Sequence, residues 1–210
     1  MNHRKKLIVF EGIDGSGKTT QAKRMHNKLV SRGVDAEYFR EPGSSALGLA
    51  VREIVYQKGN TTRANTFLFL AARAQLIHDL VLPALERGAT VILDRYGLST
   101  MCYQGAKAIS EGDAYLVNML EDLNTIATGG LIAHRTFWLD LPLDKAVERL
   151  SVRGGTDVFE APGYLSNVFD MYRALAPSHA NTVRIDADRD EEVIHKELCV
   201  EIQQMINPKS

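Results

Sequence analysis

Cysteine is scarce in this chain: Cys102 and Cys199 are the only two among 210 residues, and they lie far apart in the sequence. Such a pair builds no disulfide framework and points to a reducing compartment. An excess of charge of one sign is missing too. Against 25 Lys and Arg stand 26 Asp and Glu, a formal net charge of -1. No global basic field draws the chain to nucleic acid or to an anionic membrane, so any phosphate ligand has to be held by a local constellation. Long apolar runs are also lacking. The basic start MNHRKK precedes only the apolar run LIVF before acidic Glu11, too short for the apolar segment of a secretion signal. No stretch approaches membrane-spanning length. The expectation is a soluble cytoplasmic protein with neither nucleic acid nor membrane as partner. The six histidines are scattered without paired spacing, which argues against a histidine metal centre. What is present is ordinary for a globular chain: 45% hydrophobic and 24% charged residues, enough to bury one large core. Residues 1–210 are expected to form a single domain.

Apolar runs alternate with helical patterns, the order of an α/β fold with a parallel sheet. Strands are expected at Leu7–Phe10, Val34–Phe39, Ala89–Leu93, Thr136–Leu139 and Thr182–Ile185. The first is a continuously apolar run of the kind buried on both faces. Helices are expected over Lys18–Arg32, Arg63–Arg87 and Asp113–Ala127, with another opening near Pro142. A last helix carries Ile194, Leu198, Ile202 and Met205 on one face. Arg153–Tyr164, with three glycines and a proline, breaks the pattern and reads as a loop of functional length.

Between the first strand and the first helix lies Gly12-Ile13-Asp14-Gly15-Ser16-Gly17-Lys18-Thr19, followed by Thr20. This matches the phosphate loop GxxxxGK[ST] in the strand–turn–helix setting that its chemistry needs. Glycines let successive N–H groups converge on one concavity, and the helix adds the positive end of its dipole. Lysine reaches the β- and γ-phosphates, and the Thr hydroxyl can ligate Mg²⁺. A P-loop NTPase fold follows, with a five-stranded parallel sheet. Three classes of protein share such a loop: a nucleotide kinase, a GTPase-like switch and a non-catalytic nucleotide-binding module. Asp94-Arg95-Tyr96-Gly97 satisfies the DxxG of switch proteins, but no NKxD segment is present to read guanine. Arg40, Arg73 and Arg95 fall near strand ends or loops, where open α/β sheets bind ligands. An acceptor that carries its own phosphate needs such cations outside the P-loop.

The segments FEGIDGSGKTTQ, REPG at 40–43, FLAAR at 69–73, LPALERGATVILDRY at 82–96 and STMCYQG at 99–105 resemble those of bacterial thymidylate kinases, in the family's order and spacing. The resemblance implies an ATP-dependent kinase that phosphorylates dTMP, with a homodimeric assembly and Mg²⁺ arriving with ATP. The alternative is a kinase of the same fold acting on another pyrimidine deoxynucleotide or nucleoside. It implies that Phe69 stacks on thymine, that Arg73 donates to a base carbonyl, and that Thr100 and Gln104 contact the base. Tyr103 would close off the sugar 2′ position. Arg40 and Pro42 would frame the acceptor pocket, Arg95 clamp its phosphate, and Asp94 orient Arg95 or hold Mg²⁺ together with Thr19. Asp14 matches an acidic position near the acceptor sugar or the metal. REPGSS departs from the family at Ser44 and Ser45. On the donor side Arg149 resembles the residue that stacks on adenine. Gly15 occupies the P-loop position where some members carry a catalytic arginine. That implies the lid-dependent group, with a lid at about 150–165. Asp157 is followed by Val158 and residue 151 is serine, leaving Arg153, ahead of Gly154-Gly155, as the expected catalytic lid arginine.

Overall fold

The computed structural model describes residues 6–57, 59–152 and 162–206. Five parallel strands form one sheet in the order β2-β3-β1-β4-β5: β1 (Lys6–Glu11), β2 (Ala36–Arg40), β3 (Thr90–Asp94), β4 (Arg135–Asp140) and β5 (Thr182–Asp186). This is the expected P-loop α/β architecture, with strand ends moved by one or two residues. β1 is central, paired through Phe10 with Asp94 on one side and with Phe137 on the other. Its side chains alternate between faces. Ile8 and Phe10 meet Ala22, Met25 and Leu29 of α1 (Lys18–Ser31) and Leu198 of α9 (Glu191–Ile206). Leu7 and Val9 meet Leu76, Val81 and Leu85 on the opposite face. Burial on both sides is why β1 and β3 read as unbroken apolar runs.

The expected 63–87 helix is a continuous rod built of α3 (Thr62–Leu76), a π-helical turn (Ile77–Val81) and α4 (Leu82–Glu86). The wide turn lies just ahead of Pro83, whose ring and missing N–H disfavour regular α-helical winding there. By length and composition this rod is apolar enough to cross a membrane, with a mean hydropathy of 1.4 over its best window. That corrects the expectation that no stretch reaches such a length. The rod packs against α2 (Ala46–Val55), α5 (Gly97–Ser110) and α6 (Ala114–Thr128), the position of a core helix.

α2, α5 and α8 (Pro162–Leu175) have no counterpart in the sequence expectation. α2 contains Gly48, and α5 is a run of small and polar residues whose heavy burial hides its amphipathic period. α8 begins at Pro162, so the segment expected as a loop through Tyr164 is already helical at its end. The remainder, 153–161, lies outside the described residues. α7 (Leu143–Val152) follows Pro142 as expected.

Candidate active site

The glycines of the loop after β1 are required by shape. Gly12 has φ +140°, and a Cβ there would stand 2.6 Å from the Leu139 carbonyl oxygen. Gly15 has φ +83°, and its Cβ would meet the Ala146 carbonyl oxygen at 3.0 Å. A side chain at either position forces the loop off β4 or α7. Lys18 opens α1, and its Nζ donates to Ile13 O at 2.7 Å within the loop. Its ammonium is held at a pKa of about 8, first by burial and then by the nearby Arg95 charge, against the pull of Asp14 and Asp94. Thr19 donates from Oγ1 to Asp94 Oδ2 at 2.5 Å, while Thr20 is exposed on the first turn of α1. Asp94 ends β3. Its Oδ2 also accepts from Tyr38 at 3.3 Å and has Arg40 Nε at 3.8 Å, whereas its buried Oδ1 has no hydrogen-bond partner among the described residues. A buried carboxylate oxygen left open beside a hydroxyl is a fit for a hard cation.

Next to the loop opens a pocket with roughly 910 Å³ of empty space, counting the open solvent at its mouth. Asp14, Arg40, Pro42, Phe69, Arg73, Arg95, Thr100, Tyr103 and Gln104, which the sequence places around the acceptor, all line it. Asp14 therefore belongs to both the loop and the pocket wall. Arg95 follows β3 with φ +77°, a conformation uncommon for a side chain of this size. Its Nη2 reaches Asp14 Oδ1 at 2.6 Å and Tyr103 Oη at 3.3 Å, and its guanidinium lies 4.8 Å from the Tyr103 ring centre. Burial raises the Asp14 pKa, but Arg95, Lys18 and the Tyr103 hydroxyl outweigh it and hold the carboxyl below the usual carboxylate range. Tyr103 donates to Asp14 Oδ2 at 2.7 Å and accepts from Asp14 N at 3.0 Å.

Arg73 is buried and extensively hydrogen-bonded within the protein. Nε and Nη2 reach Glu41 Oε2 at 2.7 and 2.6 Å, Nη1 reaches Thr100 Oγ1 at 2.9 Å and Asn124 Oδ1, and Nη2 also reaches Tyr96 O at 2.8 Å. Four of these contacts are hydrogen bonds and the Nη2–Glu41 approach is an ion pair, so most of the five guanidinium donors are engaged within the protein. Arg73 thus braces Thr100 and the pocket wall. The departure at REPGSS has a local answer. Ser44 Oγ accepts from Arg40 N at 2.7 Å, and Ser45 Oγ caps α2 by accepting from Gly48 N at 3.0 Å.

The pocket also contains Glu41, Arg52, Tyr56 and Ser99, which sequence reasoning missed. Glu41 lies inside the REPG segment, so its signal was in view. Arg52 and Tyr56 sit on and just beyond α2, a helix with no clear sequence signal. On the donor side Arg149 donates to Gly15 O and Ala187 O, both at 3.3 Å, which sets its guanidinium against the loop. Arg153 lies outside the described residues.

The family model for thymidylate kinases matches residues 10–198. Proteins named thymidylate kinase are similar over nearly the whole chain. That of Thermosipho melanesiensis is 34% identical, covering 96% of this chain and 99% of its own length. That of Prochlorococcus marinus (strain NATL2A) is 36% identical, covering 97% and 99%. That of Trichodesmium erythraeum is 35% identical, covering 96% of each.

Proposed function

The chain belongs to the thymidylate kinase family and is an ATP-dependent dTMP kinase, and from that premise we propose how its residues divide the work. The observation that carries the assignment is Asp14, which sits in the phosphate loop and in the acceptor pocket and is ion-paired to Arg95 between them. Donor and acceptor phosphates converge at that seam. A phosphate oxygen of dTMP attacks the γ-phosphorus of ATP in line. The new O–P bond forms as the bond to the β,γ-bridging oxygen breaks, with no covalent enzyme intermediate. The protein's part is positioning and charge neutralisation.

In this reading the N–H groups from Gly12 to Thr20 cradle the ATP phosphates, and Lys18 exchanges Ile13 O for a γ-phosphate oxygen. Arg95 clamps the acceptor phosphate from the pocket side. Asp94 and Thr19 would hold Mg²⁺, which would neutralise charge on the donor phosphates. Phe69 stacks on the pyrimidine. Arg73 acts on the base together with Thr100, which it holds, and Gln104 completes that wall. The Tyr103 ring, fixed by Asp14, fills the space a 2′-hydroxyl would need, while Arg40 and Pro42 frame the entrance. Arg149, set on the loop, packs against adenine, and Arg153 supplies the further transition-state charge. The chain works as one domain, in the cytoplasm, as a homodimer.

A coupled assay across dTMP, dUMP, dCMP, dGMP and thymidine tests the assignment. Highest kcat/KM with dTMP is expected, with dCMP disfavoured by on the order of 10²-fold, since a site built to hydrogen-bond one base leaves polar groups unpaired with another. A higher kcat/KM for any other member of the panel overturns it.

A further inference from the structure

Glu11 is the last residue of β1 and is 0% exposed. It is outside the acceptor pocket lining, yet its carboxylate is fully used. Oε1 accepts from Tyr96 N at 2.8 Å and Ser99 N at 3.0 Å, and Oε2 accepts from Ser99 Oγ at 2.5 Å and Tyr172 Oη at 2.8 Å. α5 has no side-chain cap from its own N-cap residue, Tyr96. Glu11 supplies that cap from another strand, where orphan N–H groups and the helix dipole favour an anion.

We infer that Glu11 is a positioning residue for phosphoryl transfer, acting on Arg95 through Ser99 and the first turn of α5. A serine hydroxyl has one hydrogen to give. Glu11 takes it, which leaves Ser99 Oγ as an acceptor for Arg95 Nη1 at 3.1 Å. The same carboxylate holds the N–H groups of Tyr96 and Ser99 on either side of the turn that Arg95 enters with φ +77°. Arg95 N is fixed to Phe10 O at 3.0 Å, the residue before Glu11. The end of β1 therefore sets both the backbone and one donor direction of Arg95. An acceptor-only group is needed. Four donors converge on the two carboxylate oxygens, and a glutamine amide has only one acceptor oxygen. Either the Tyr96 and Ser99 N–H groups or the Ser99 and Tyr172 hydroxyls, themselves 3.0 Å apart, would face an N–H instead.

This inference rests on the reading of Arg95 as the acceptor-phosphate clamp, and the test separates the two. Steady-state and single-turnover kinetics are measured for Glu11→Gln, Ser99→Ala, Arg95→Ala, and for Glu11→Gln or Ser99→Ala combined with Arg95→Ala. Glu11→Gln and Ser99→Ala are each expected to lower kcat/KM for dTMP by about 10-fold or more, as misplacement of a catalytic group does, with KM for ATP within about two-fold of the parent. In the Arg95→Ala background, Glu11→Gln is expected to add less than about two-fold, because its effect passes through the missing guanidinium. An Arg95→Ala enzyme with unchanged dTMP kinetics overturns the clamp reading and this inference with it. An impaired Arg95→Ala enzyme beside unimpaired Glu11→Gln or Ser99→Ala overturns this inference alone. So does a Glu11→Gln loss that persists undiminished without Arg95. Ser99→Ala removes only a hydroxyl, but Ser99 also lines the pocket. If Glu11→Gln does not fold, Ser99→Ala therefore decides the matter through its combination with Arg95→Ala: a Ser99→Ala loss that persists undiminished without Arg95 overturns the inference.

Discussion

Lys18 stands where burial and a neighbouring cation both oppose its charge, and its pKa of about 8 makes donor binding sensitive to pH. Bound phosphates favour the ammonium, so the complex has a higher pKa than the free protein, and binding takes up a proton once pH exceeds about 8. Affinity for ATP is therefore expected to be level below about pH 7.5 and to fall by up to about ten-fold per pH unit above 8. Isothermal titration calorimetry between pH 6.5 and 9.5 measures this. Lys18→Arg, which stays charged throughout, should show a level profile over the same range. A parent profile as flat as that of the arginine variant would remove the titrating lysine from the binding step.

Among the elements, α2 shows what an unusual local sequence does. Ser45 caps it, and Gly48 is close enough to the preceding loop that a Cβ would stand 2.9 Å from Gly43 N. The helix carries Arg52 to the acceptor pocket. Ser45→Ala should cost about 1 kcal/mol of stability, a fall of roughly 2–4 °C in Tm for a chain of this length, and it should raise KM for dTMP more than KM for ATP. Calorimetry and kinetics on the same preparation check both. The same helix marks a limit of what is legible in the sequence. Strands buried on both faces announce themselves as apolar runs, and the phosphate loop as a motif with its strand and helix, so the sheet and the position of the loop could be read directly. The acceptor residues could be placed together through the family resemblance. The occupation of Arg73 by Glu41, Thr100, Asn124 and Tyr96, the role of Glu11 and the presence of Arg52 could not. They depend on contacts between segments whose sequence spacing carries no signal. α5 was hidden for a different reason: packed on several sides, it lacks the one-sided pattern that marks a surface helix.

At the scale of the whole molecule, large apolar side chains stay uncovered on neighbouring helices. Leu49 of α2 is 57% exposed, Phe67 of α3 56% and Tyr115 of α6 72%. α3 packs against both α2 and α6. Single exposed residues are ordinary, but a group on adjoining elements suits an interface between copies of the chain. Light scattering on a sizing column should give twice the 23.3 kDa chain mass, and Phe67→Glu should shift the protein towards monomer. A parent that elutes as monomer at micromolar concentration speaks against the homodimer.

The central place of β1 has a further consequence, for how the chain acquires activity. The loop it feeds is completed by Asp94 and Tyr103, more than seventy residues downstream, and by β4 beyond them. Each of these contacts closes a long stretch of chain, the kind of non-local pairing that forms slowly in folding. An emerging chain with only its first third made has the phosphate-loop motif but neither Asp94 nor Tyr103, so nucleotide chemistry waits for the sheet to close. Ligands that bridge the loop and the pocket then stabilise the fold by mass action, because their site exists only when β1, β3 and α5 are assembled.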